Sequence, residues 1–202
     1  MPLRLLSNAR RPLTILLSLG LLLWVSCIKL SDTIAPHRLS PETLSDQDFA
    51  FQTAYAEHIE SATNGNDSCT ARGKLAQFYH ANGFLREAVA LYDELQLCDP
   101  ADPRWPYYLA LIKQDAGEVD SAISLHEQSY QRDTSVLISV FHQAELLRKS
   151  GRTKAAIDKY QACLKHPAYR AEASLGMGAL AVTRGEWTEA ADWLEVAIAP
   201  PA

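Results

Sequence analysis

The sequence predicts an all-α chain built as an array of about four helix-turn-helix repeats, and three observations predict it. The first is a period. The stretch "GFLREA" at Gly83–Ala88 returns as "GEVDSA" at Gly117–Ala122, then at the same spacing as "GRTKAA" at Gly151–Ala156 and "GEWTEA" at Gly185–Ala190. Four of the nine glycines therefore share one phase, each followed five residues on by alanine, and self-similarity at a fixed period of this kind marks a repeat architecture. The second observation is that each unit carries two patterns of helical spacing, parted near the glycine. The third is composition: 202 residues, 48% hydrophobic and 21% charged, are enough for a sizeable core and lack the bias of a disordered chain.

The segment 1–29 is a different material. After the basic "RLLSNARRP" comes "LTILLSLGLLLWVSCI", Leu13–Ile28, sixteen residues without a charge, closed by Lys29. That is slightly short of the roughly 18 to 20 apolar residues of a spanning helix, and it suits a long signal-peptide core as well. Arg4, Arg10 and Arg11 precede the run, and Lys29 and Arg38 follow it. By the positive-inside rule the N-terminus stays in the cytoplasm and the body is exported. Three fates are open. Residues 13–28 can remain in the membrane as a signal anchor. Alternatively Cys27 is acylated, since "LWVSC" resembles a bacterial lipobox even though Trp24 stands where leucine is usual. The third fate is cleavage to a soluble exported chain. The first makes the protein single-pass in a bacterial inner membrane with a periplasmic C-terminal domain; the others make it a lipoprotein or a secreted periplasmic protein.

Residues 30–47 hold two prolines and no sustained apolar period, which reads as a flexible tether. From Asp46, read as an N-cap, residues 48–66 form a helix with Phe51, Tyr55, Ile59 and Ala62 at helical spacing, ended by "NGND". Ala54 lies one full period before Ala88, so this helix is expected to cap the array. The array occupies residues 69–202, in repeats 69–102, 103–136, 137–170 and 171–202 that begin at Cys69, Pro103, Leu137 and Ala171. The recurring glycine suits a left-handed helix C-cap. One small residue per helix, in the pairs Ala76 and Ala88, Ala110 and Ala122, Ala144 and Ala156, Gly178 and Ala190, lets paired helices approach closely.

These residues resemble the tetratricopeptide repeat. The first copy meets the family pattern with Leu75-Ala76-x2-Tyr79, Ala88-x3-Tyr92 and Pro100, while Arg72 replaces the usual tryptophan. The second keeps Leu109, Ala110 and Ala122 but puts Lys113 and His126 at the aromatic positions. The third keeps Ala144, Ala156 and Tyr160, and the fourth Gly178, Ala190 and Leu194. The resemblance implies a superhelix, or α-solenoid, whose first helices line a concave groove. It assigns to that groove Gln77, His80, Tyr107, Leu111, Gln114, Phe141, Glu145 and Arg148, with Ala179 and Val182. The family's carboxylate clamp is missing, because Gly73, Gln77, Tyr108, Ile138 and His142 stand at its positions. What remains is an aromatic and apolar groove with a basic spot from Arg148 and Lys149, suited to a peptide or helix with apolar anchors. The alternative is that Tyr107 and Phe141 pack against each other.

Enzyme chemistry and cofactors are not expected. The stretch "HEQSY" begins like a zinc-protease helix, but Tyr130 takes the place of the second histidine, and His126 reads as a helix-surface histidine. No phosphate loop, nucleophile elbow or C-x-x-C appears. Beyond residue 28 the chain carries 16 basic and 24 acidic residues, so it repels phosphates and nucleic acid is not an expected partner. Cys69 opens the first helix of the first repeat and Cys98 closes the second. Paired antiparallel helices bring those ends together, so a disulfide is reasonable, worth about 3 to 4 kcal/mol on the chain-entropy model; two free thiols are the alternative. Cys163 reads as plain packing.

The last helix, "EWTEAADWLEVAIAPPA", runs to the end of the sequence, where solenoids usually add a polar-faced covering helix. An open apolar face with Leu194 and Ile198 is therefore expected, docking a partner or a second copy as a homodimer. The functional expectation is a non-enzymatic, membrane-tethered scaffold in the periplasm that binds protein partners through the concave face, in assembly or maintenance of an envelope complex. An outer-membrane lipoprotein of pilus or secretion assembly, and a small-ligand or peptidoglycan-binding accessory, are the alternatives.

Overall fold

The computed structural model describes residues 38–64 and 68–199. The expected anchor at 13–28, Cys27 and the first part of the tether lie outside the described residues. Among the described residues no helix is long and apolar enough to cross a membrane.

The architecture is all-α. A short helix, α1 (Pro41–Ser45), leads into α2 (Phe49–Asn64). Four helix pairs follow: α3 (Ser68–Ala81) with α4 (Leu85–Cys98), α5 (Arg104–Asp115) with α6 (Val119–Arg132), α7 (Leu137–Lys149) with α8 (Thr153–Leu164), and α9 (Arg170–Arg184) with α10 (Trp187–Ile198). A 3₁₀ turn at Pro167–Tyr169 precedes α9. Within a pair the helices pack side by side, and each second helix packs on the first helix of the next pair. The helix α2 packs on α3 and covers that end of the stack.

The turns between paired helices are alike because the period places a glycine in each. Gly83, Gly117, Gly151 and Gly185 have φ of 79°, 77°, 75° and 77°, which a side chain disfavours. In every case the next residue donates its N–H five residues back: Phe84 to Tyr79 at 2.9 Å, Glu118 to Lys113 at 2.9 Å, Arg152 to Leu147 at 2.9 Å and Glu186 to Ala181 at 3.0 Å. The glycine N–H donates three residues back, completing a Schellman closure of the helix end. A Cβ at any of the four would meet nothing within 4 Å, so the requirement is conformational and not steric. The alanines five residues on are the opposite case. Ala88, Ala122 and Ala156 are 0% exposed and sit where paired helices touch.

The tether expectation fails from residue 38 onward. Leu39 is buried, and its N–H donates to the Tyr55 hydroxyl at 3.0 Å. Ser40 accepts from the Thr43 N–H at 3.1 Å with Pro41 in the first helical turn, so the proline that read as punctuation starts a helix. Asp46 lies at the C-terminal end of α1; the cap of α2 is Asp48, whose carboxylate accepts from the Phe51 N–H at 2.8 Å.

Candidate partner-binding surface

Residues at equivalent places on the first helices form the surface assigned to the groove, and Gln77, His80, Tyr107, Leu111, Gln114, Phe141, Glu145 and Arg148 are all half-buried there. Three of them gather round one hollow. Phe141, Glu145 and Arg148 on α7 meet Glu172, Leu175, Gly176 and Ala179 on α9 around a hollow of about 270 Å³. The other five lie outside it, on α3 and α5. The reading from sequence missed Leu175, which is 50% exposed. Its signal was available, since Leu175 stands one repeat period after Phe141 and two after Tyr107.

The polar wall of this hollow is already satisfied. Arg148 donates to Glu145 at 2.8 Å and to the Tyr160 hydroxyl at 3.2 Å, and Tyr160 donates to Glu145. Burial alone would raise the Glu145 carboxyl, but the hydrogen bonds from Arg148 and Tyr160 outweigh it and hold the group below its ordinary range. The expected basic spot is therefore corrected: Arg148 is neutralised by a carboxylate three residues earlier on its own helix, leaving the more exposed Lys149 4.0 Å from the same group. The floor is tight. A Cβ at Gly176 would come within 2.3 Å of the Tyr160 ring, so glycine there leaves room for the tyrosine against α9.

Tyr107 and Phe141 have different neighbours. Tyr107 packs against Tyr108, His126 and His142. Phe141 packs against His142, Tyr160 and Tyr169. His80 accepts or donates at 3.4 Å with the Tyr92 hydroxyl, and burial lowers its pKa.

Comparison with solved structures places this arrangement. A crystal structure of MamA superposes with a TM-score of 0.66 at 16% identity, covering 80% of this chain and 95% of that one. A second MamA structure gives 0.64 at 17%, covering 74% and 81%. YrrB, described as a TPR protein with an unusual peptide-binding site, gives 0.61 at 15%, covering 74% and 77%. The chain folds as a tetratricopeptide-repeat array. No family model matches the sequence, and no curated protein matches it.

Within the tetratricopeptide frame the second aromatic position of each repeat is where the units join. Tyr92, His126 and Tyr160 occupy it in the first three repeats, and all are 0% exposed. His126 is therefore not a surface histidine. It stacks on His142 of the next repeat, centroids 5.0 Å apart and rings 3° from parallel, and neither ring nitrogen has a hydrogen-bond partner. Burial, with a smaller contribution from His142, pushes its pKa down to about 3. Among the described residues no group of three metal-ligating side chains gathers.

Cys69 and Cys98 are joined in a disulfide with Cα atoms 6.1 Å apart, tying the start of α3 to the end of α4. Cys163 is a free, buried thiol whose pKa burial pushes up to about 11. Leu194 and Ile198 on α10 are 46% and 81% exposed.

Proposed function

We propose that this protein is a non-enzymatic scaffold, tethered to a bacterial inner membrane through residues 13–28, whose tetratricopeptide body lies in the periplasm and binds protein partners in assembly or maintenance of an envelope complex. The observation that carries the binding role is the hollow between α7 and α9. It sets exposed Leu175 beside Phe141, with a polar wall whose charges are mutually satisfied. Such a surface recognises an apolar anchor of a peptide or helix and gives little reward to a free phosphate or carboxylate. The unusual peptide-binding site described for YrrB supports the same reading.

Export is supported by the arginines ahead of the apolar run and by a disulfide, which persists in oxidising compartments. A photo-crosslinking residue at Leu175 in the full chain, in intact cells, should yield adducts with a protein partner, and Leu175→Glu should abolish capture with helicity unchanged. Undiminished capture by Leu175→Glu removes this groove from the reading. A reporter active only outside the cytoplasm, fused after Ala202, should work; activity confined to a cytoplasmic reporter ends the export claim.

A further inference from the structure

At three junctions the same place on a second helix is covered by the following repeat. Tyr92 stacks on Tyr108, His126 on His142, and Tyr160 lies against Gly176. Leu194 holds that place on α10, yet it is 46% exposed, and Trp187 and Ile198 on the same helix are 69% and 81% exposed. Among the described residues nothing covers this stripe. The place held by Leu194 is buried at three successive repeats and half-exposed at the fourth, and an apolar stripe left open beside it has the shape of an interface.

The charges say what fits. Next to His126, Glu127 receives Lys159 of the following repeat at 2.7 Å, and this contact, with the hydrogen bond foremost, lowers the carboxyl's pKa. Glu195 stands at the equivalent place beside Leu194. The helix α10 carries Glu189, Asp192 and Glu195 with no lysine or arginine, and neither Asp192 nor Glu195 has an ion-pair partner among the described residues. In a second copy, neither helix at the ends of the array carries a lysine or arginine. Packing α10 on α10 sets carboxylates against carboxylates, and α2 at the opposite end carries Glu57 and Glu60 with Arg38 beside it; the surplus of like charge brought together in either pairing disfavours association.

We propose that the outer face of α10 docks a basic amphipathic helix of a different protein, its apolar stripe covering Leu194 and Ile198 and a lysine or arginine meeting Glu195 as Lys159 meets Glu127. The docking is separate from the groove at Phe141 and Leu175, so the two sites fail independently.

The test uses the full chain in discs of zwitterionic lipid and two labelled helical peptides with the same leucine and alanine stripe, one with a lysine-rich and one with a glutamate-rich polar face. Fluorescence anisotropy should show the lysine peptide binding about tenfold more tightly, with Glu195→Lys reversing the preference. Leu194→Glu should abolish binding, and Leu175→Glu should leave it intact. Equal binding of both peptides, an unchanged preference in Glu195→Lys, or loss of binding in Leu175→Glu overturns the proposal. So does concentration-dependent self-association that Leu194→Glu abolishes, which would make the occupant a second copy.

Discussion

The junction between the first and second repeats and the junction between the second and third use the same backbone for opposite chemistry. In the first, Tyr92 stacks between Tyr108 at 5.5 Å and Trp105 at 6.4 Å, and Trp105 lies so close to α3 that a Cβ at Gly73 would fall 2.4 Å from the indole. This junction belongs to one apolar cluster running from Leu39 to Ile112. In the second, the corresponding space holds His126 against His142, the Ser129 and Ser139 hydroxyls 3.0 Å apart, and buried Gln143. The apolar core resumes only at Val140. A superhelix therefore needs rings or small groups of matching shape at its joints, but not a continuous apolar core. The joint with polar filling buries a histidine pair, so its stability responds to pH.

The largest test of this contrast is Trp105→Ala. It empties the seat over Gly73 and should cost about 3 to 5 kcal/mol, read as a lower denaturation midpoint. A loss under about 1 kcal/mol would mean that the first junction is not held by its aromatic stack. Cys69→Ser comes next. Removing the cross-link between Cys69 and Cys98 should cost about 2 to 4 kcal/mol, while Cys98 becomes open to alkylation without reductant. Independent alkylation of both thiols in the unreduced wild type would show that the bond does not form.

The third test reaches the polar joint. His126 is neutral when folded and protonates only near pH 3, whereas the unfolded chain protonates it through the ordinary histidine range. The unfolded state thus binds the extra proton between these limits, and stability is full above about pH 6.5 and falls as pH drops toward 3. The neighbours Tyr107 and His142 offer no carboxylate to offset this, and burial lowers the pKa of His142 as well, with Glu145 opposing it. His126→Phe should lose the His126 contribution while that of His142 remains. Denaturant titrations at pH 7, 6, 5 and 4 should show the variant gaining on wild type by about 1.4 kcal/mol per pH unit below the histidine range. A constant difference across that range would mean that His126 protonates in place.

The groove was only partly legible from sequence. Its α7 wall was readable because Phe141, Glu145 and Arg148 keep the repeat phase. The neutralisation of Arg148 was not, because it depends on Tyr160 reaching across from α8 to orient Glu145. The N-terminal segment shows the same limit, since the caps in "SPET" are local but the burial of Leu39 depends on the distant Tyr55 hydroxyl.

By itself the sequence determined the period, the four left-handed turns at glycine and the alanine contacts within each pair. These follow from φ preference and helical spacing, which act within a few residues and repeat wherever the residues repeat. Only the tertiary structure decided which ring lies on which glycine, and that His126 is sealed against His142. Those outcomes depend on how one repeat is set on the next, a relation between residues that the chain brings together only after each pair has formed.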